Sequence, residues 1–180
     1  REAAVRGFLV DGMLGRLARW MRLLGLDADF RPGLPDDELI EIAVAADRIL
    51  VTRDRRLAGR RAVRDRVILI AAERWPDQVA ELLAGQPELG PIRPLTRCLR
   101  CNEPLVAVDA AVAAPAVPPY VLAHHREFRR CPSCGRIYWP GTHRERMREM
   151  LRRLGLDPGP PSDGGGRVPT EIRDPGPEPD

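Results

Sequence analysis

The chain has 180 residues, 43% hydrophobic and 31% charged, enough apolar material for the core of one domain or two small ones. No apolar run approaches the ~20 residues that a membrane-spanning helix requires. The net charge of +3 is uneven: residues 155–180 hold six acids and two arginines, a sum of −4, which leaves +7 on residues 1–154. Every basic residue is arginine, and a basic body of this kind suits a polyanionic partner such as RNA.

Phe8-Leu9-Val10 is a short apolar run ending at Asp11 and predicts a buried strand. Met13 to Leu24 predicts a helix, with Met13, Leu17, Trp20 and Leu24 on one face and Gly25 as its stop. Arg16, Arg19 and Arg22 recur at every third position opposite much of that face, as a solvated surface or as phosphate contacts. A short strand follows near residues 28–31. Pro35-Asp36-Asp37-Glu38 then opens a helix from Asp37 to Ala46, with Leu39, Ile40, Ala43 and Val44 expected inward. Acids in a first turn are favoured by the helix dipole. Ile49–Thr52 and Val67–Ile70 predict two more strands, and Pro76 begins a helix to about Leu83. Strands and helices alternate, and the strands are continuously apolar. That order predicts an α/β domain over residues 5–86, an open parallel sheet flanked by helices.

Residues 86–94 are rich in Pro and Gly and read as a linker. A second unit is expected over residues 95–154: a small zinc ribbon and a closing basic helix, Thr142 to Leu154, that carries Arg144, Arg146, Arg148, Arg152 and Arg153. Residues 155–180 lack the large apolar side chains needed to offset ordering entropy and are expected to be a disordered acidic tail.

All four cysteines fall in two C-x-x-C pairs, Cys98 with Cys101 and Cys131 with Cys134. Two such turns supply the four thiolates of a closed tetrahedral zinc site. Gly135, just after the second pair, lets the backbone fold back toward the metal. Two disulfides are the competing reading, set against the absence of a signal peptide, and a redox C-x-x-C would account for one pair only. Thiols in metal-type pairs without a secretion signal suggest the cytoplasm. A closed site builds structure and leaves no position for substrate, so the chemistry belongs elsewhere. The 29 residues between the pairs exceed usual ribbon spacing and predict a long or interrupted hairpin.

In open parallel sheets ligands bind beyond the carboxyl ends of the strands. Asp11 and Asp54 stand at two such ends, and Asp36, Asp37 and Glu38 open a helix that should start at the same rim. Singly, each acid reads as a turn or cap residue. Together they would suit Mg²⁺ or Mn²⁺, which prefer hard oxygen ligands. There is no G-x-x-x-x-G-K-[ST] loop and no G-x-S-x-G elbow. His124 and His125 read as polar residues of the ribbon's long connection, and Tyr138 and Trp139 as base-stacking or ribbon-core residues.

The run Phe8-Leu9-Val10-Asp11-Gly12-Met13-Leu14-Gly15-Arg16-Leu17-Ala18-Arg19 resembles the opening of the PIN-like ribonuclease domain found at the C-terminus of Mut-seven-type exonucleases. So does Arg48-Ile49-Leu50-Val51-Thr52-Arg53-Asp54-Arg55. Arg97-Cys98-Leu99-Arg100-Cys101-Asn102 and Cys131-Pro132-Ser133-Cys134-Gly135-Arg136-Ile137-Tyr138-Trp139-Pro140-Gly141-Thr142-His143 look like that family's two knuckles. The resemblance covers roughly residues 7–150. It implies a PIN-like fold with an appended zinc ribbon, metal-dependent RNA cleavage, and Asp11, Asp36 or Asp37, and Asp54 as ligands of Mg or Mn. Arg16, Arg19, Arg53 and His143 are the candidate RNA contacts, and Glu73 and Asp77 the nearest candidates for a fourth acid. Some relatives carry an N-terminal ubiquitin-like domain. Arg1 in place of Met raises the expectation that such a domain is missing here, and a protein partner is the other expectation. The alternative expectation is a binding module for RNA or protein that keeps the scaffold without the catalysis.

Overall fold

The computed structural model describes residues 6–84, 89, 92–141, 148–149 and 151–153. The expected acidic tail, part of the linker, and His143, Arg144 and Arg146 of the expected closing helix lie outside the described residues.

Four parallel strands form the first sheet: β1 (Phe8–Val10), β2 (Ala28–Phe30), β3 (Ile49–Thr52) and β4 (Val67–Leu69), in the order β2-β1-β3-β4. The apolar runs form strands because both faces of the sheet are covered. Phe8, Val10, Ile49 and Val51 face one buried cluster, and the intervening Leu9 and Leu50 face the other. Helices α1 (Gly15–Leu23) and α4 (Trp75–Ala84) cover the first face through Leu17, Ala18, Met21, Val79 and Leu82. Helices α2 (Asp36–Ala45) and α3 (Arg55–Ala58) cover the second through Leu39, Ile40, Ala43 and Leu57.

The helix expected to begin at Met13 begins instead with a separate 3-10 turn, Gly12–Leu14, and α1 follows it. That turn rotates Met13 outward to 63% exposure and buries Leu14. On α2 the inward stripe is Leu39, Ile40 and Ala43, while Val44 falls outside it and is exposed. Gly25 terminates α1 in a left-handed conformation, φ +86°, with its amide donating to the Arg22 carbonyl and the Leu26 amide to Met21. A Cβ at that position would lie 2.0 Å from the Arg93 carbonyl, because the incoming connection docks there through Arg93 and Leu95 amides that donate to Leu24 and Leu23.

The cysteine-bearing part holds an antiparallel sheet, β5 (Val106–Val108), β6 (Phe128–Arg130) and β7 (Ile137–Tyr138), in that order. Two short helices, α5 (Ala110–Ala113) and α6 (Pro119–His124), interrupt the connection from β5 to β6 and account for the long spacing between the cysteine pairs. They enclose a small core of Ala113, Val117, Val121 and Phe128, with Trp139 packed against it. Leu99 of the first cysteine turn and Leu151 both join the α1–α4 cluster, so this part is packed onto the parallel sheet.

Candidate functional site

The order β2-β1-β3-β4 reverses direction between β1 and β3, and the segments leaving their carboxyl ends diverge there. Asp11 leaves β1 at that point and Arg53-Asp54 leave β3. Val10 pairs with Val51, which brings Asp11 alongside Thr52. The Asp11 amide donates to the Val51 carbonyl at 3.0 Å, and the Thr52 hydroxyl donates to Asp11 Oδ2 at 2.6 Å. The same hydroxyl oxygen accepts the Asp54 amide at 3.0 Å. Thr52 is fully buried and so fixes both acids at once.

Asp54 is the N-cap of α3: its Oδ1 accepts from the amides of Arg56 at 2.6 Å and Leu57 at 3.1 Å. Its other oxygen takes no part in the cap. Asp36 is the first residue of α2 and is exposed, three and four positions before the buried Leu39 and Ile40. Asp37 is one step round the helix, exposed, and paired with the Arg60 guanidinium. The loop before α2 abuts the first loop, since a Cβ on Gly12 would lie 3.2 Å from the Pro32 Cα. These acids therefore occupy one edge of the sheet, on the face covered by α2 and α3, but they are more widely spread than a preformed cluster. Among the described residues, only the four cysteines bring three or more ligand atoms all within 4.8 Å of one another.

Of the expected basic contacts, Arg16 is exposed at the start of α1 and Arg19 is half-buried. Arg22, read from its spacing as surface, is buried: its Nε donates to the Ala28 carbonyl, and its Nη1 to Leu99 and Arg100 at 3.0 and 2.9 Å. It joins α1, β2 and the first cysteine turn. Arg53 lies between Thr52 and Asp54, and its Nε is buried without a hydrogen-bond partner among the described residues. Glu73 precedes α4, and Asp77 is exposed on its first turn.

The two cysteine turns repeat each other bond for bond. The Cys101 amide donates to Cys98 Sγ and the Cys134 amide to Cys131 Sγ, at 3.3 and 3.4 Å. The Asn102 amide donates to the Cys98 carbonyl and the Gly135 amide to Cys131, at 3.0 and 2.9 Å. Asn102 and Gly135 both adopt the left-handed conformation, φ +64° and +74°. Asn tolerates that region better than other residues with a Cβ. Cys98 and Cys134 Sγ are 3.7 Å apart, which fits the ~3.8 Å edge of a tetrahedron with zinc–sulfur bonds of about 2.3 Å.

The thiols are unequal. Burial opposes the Cys98 thiolate, but the Tyr138 hydroxyl, 3.1 Å away, and the Cys101 and Arg100 amides outweigh it and bring its pKa down to about 7. Burial, the hydrogen bond with Cys134 and the Cys98 charge push Cys101 up to about 12, and burial raises Cys131. Such a set lacks charge compensation without a cation, which suits zinc, since zinc deprotonates coordinating thiols. Tyr138 therefore belongs to the cysteine cluster and Trp139 to the small core, as the packing reading expected. His124 contacts the Tyr120 ring and carbonyl and lies outside the cysteine cluster.

Three residues that organise this part escape a linear reading: Thr52, Arg22 and Asn102. Asn102 had a usable signal, its place one residue after the second cysteine of its pair, as with Gly135. Its side chain also ties the turn to β2, accepting from the Ala28 amide at 3.0 Å and donating to Asp27 at 2.7 Å.

Among known proteins, a family model described as the Mut7-C RNAse domain matches residues 6–151. No curated protein and no solved structure gives a significant match.

Proposed function

Because the chain belongs to the Mut7-C RNAse domain family, we propose that it is a metal-dependent ribonuclease that hydrolyses RNA phosphodiester bonds at the rim formed by Asp11, Asp36 and Asp54. The observation that carries this reading is Thr52, which locks Asp11 and Asp54 together at the reversal point of the sheet. Asp36 fits as the third ligand better than Asp37, because Asp37 is engaged by Arg60. The donor set fits Mg²⁺ or Mn²⁺: all oxygen, with one carboxylate oxygen of Asp11 left over by Thr52 and one of Asp54 left over by the cap. A Mg²⁺ site needs only one or two protein carboxylates and keeps several waters, so a spread set of acids is compatible with it.

When bound, the ion supplies activation of a water and neutralisation of charge on the phosphodiester. The residues themselves position and charge the site. Thr52 holds Asp11 through its hydroxyl at Oδ2, which leaves the carboxylate's other oxygen outside that bond. Arg53 offers a guanidinium beside the acids, and its unsatisfied Nε would be relieved by a phosphate oxygen. Arg16 and Arg19 extend the positive surface along α1 toward the RNA backbone. His143, outside the described residues, stays a candidate RNA contact on the family resemblance alone.

We assign the cysteine cluster, Cys98, Cys101, Cys131 and Cys134, to one structural zinc in a zinc ribbon that forms a second unit after the sheet domain. Four reduced thiols in this geometry fit a reducing, cytoplasmic setting. Among the described residues no helix is long and apolar enough to cross a membrane.

Incubation of the purified chain with RNA should give cleavage that depends on Mn²⁺ or Mg²⁺ and stops with chelator. RNA binding that weakens with salt, with no metal-stimulated cleavage, would favour a binding module on the same scaffold.

A further inference from the structure

At the same carboxyl end of the sheet as the acids, but on the face covered by α1 and α4, lies a cavity of about 580 Å³ between the first turn of α1 and the loop entering α4. Its walls include Met13, Arg16, Glu73, Arg74, Trp75 and Gln78. Volumes of this size hold small organic ligands. Two features of the walls are unexplained by folding. Met13 is a large apolar side chain left 63% exposed. Arg16 and Arg74 are both exposed and form no ion pair among the described residues. The loop itself is held in place: Glu81 accepts the Ala71 and Ala72 amides, and Gln78 Nε2 donates to the Ala72 and Glu73 carbonyls. Trp75 is fixed by stacking on Trp20, with ring centroids 5.1 Å apart and planes 10° apart.

We propose that this cleft seats one nucleotide of the RNA next to the cleaved bond, with its phosphate on Arg16 and Arg74 and its base against Met13 and Trp75. The proposal rests on the ribonuclease reading and gives that site a substrate-positioning subsite. Two guanidiniums without an ion pair among the described residues match a phosphate, and the Trp75 ring, held by Trp20, with the exposed Met13 matches a base. Glu73 adds an acceptor for an exocyclic amine, which favours cytosine or adenine over uracil. The cleft is also close to the rim along the chain, because Met13 is two residues beyond Asp11.

Titration of the whole chain with CMP, AMP and UMP, without divalent metal, tests the cleft apart from catalysis. Tryptophan fluorescence should change saturably with CMP and AMP, and more weakly with UMP. Arg74→Ala and Arg16→Ala should each weaken binding about tenfold or more, and each should raise KM for RNA with little effect on kcat. Absence of a saturable change up to millimolar nucleotide, or equal affinity in both variants and the parent, would overturn the subsite. A parent chain that binds nucleotide but never cleaves RNA with Mn²⁺ would leave the cleft standing and remove the ribonuclease reading instead.

Discussion

The Thr52 hydroxyl touches both acids at the strand ends, accepting from the Asp54 amide and donating to the Asp11 carboxylate. In the proposed metal site Thr52 orients two ligands, and such partners typically contribute 10–100-fold to metal affinity or activity, so Thr52→Val should lower metal-stimulated cleavage by about that factor. Thr52→Ser keeps the hydroxyl and should retain most of the rate. A measured rate for Thr52→Val equal to the parent's would remove Thr52 from the site. Asp11 and Asp54 were legible from sequence because each follows an apolar run. Thr52 was not, since a β-branched residue in a strand already has a reason to be there. The difference between Asp36 and Asp37 was equally closed to the sequence, because only the packed structure shows Arg60 engaging Asp37.

Among the elements, the first cysteine turn is held to the parallel sheet by a polar junction. Arg22 reaches from α1 to the Leu99 and Arg100 carbonyls, and Asp27, just before β2, binds Arg48, Arg97 and Asn102. Arg22 is buried and charged, so Arg22→Ala should cost about 2–3 kcal/mol in chemical denaturation, against little change for the exposed Arg16→Ala. Asp27 offers a pH test. Burial opposes its carboxylate, but bonds from Arg48 and Asn102 prevail and hold its pKa below the usual 3.8. A lowered folded value means that the stabilisation is present above pH ~4 and is lost as pH falls through the folded pKa. The parent should therefore lose melting temperature more steeply than Asp27→Asn as the pH falls below about 4. The parallel sheet was legible as alternating apolar runs and helical spacings. This junction was not: an arginine every third residue reads the same whether it faces water or another element, and only the contact across 77 residues of chain settles Arg22.

For the whole molecule, the cysteine part and the sheet share one buried cluster through Leu99 and Leu151. Metal analysis of chain purified without chelator should give about one zinc, and stripping it should unfold the cysteine part and lower the melting temperature of the rest. A zinc content near zero with intact disulfides would contradict that assignment. Leu151 is 2% exposed, so Leu151→Ala should cost about 2–5 kcal/mol although it lies far along the chain from the sheet. The proposed division of labour gives zinc and Leu151 the frame and gives the acids of the sheet rim the chemistry. The most direct measurement is the rate of RNA cleavage with Mn²⁺ by the parent and by Asp11→Asn, side by side. Asn keeps the shape of Asp11 and removes its charge, so the rate should fall by about 100-fold or more. Equal rates in the two proteins would contradict the account.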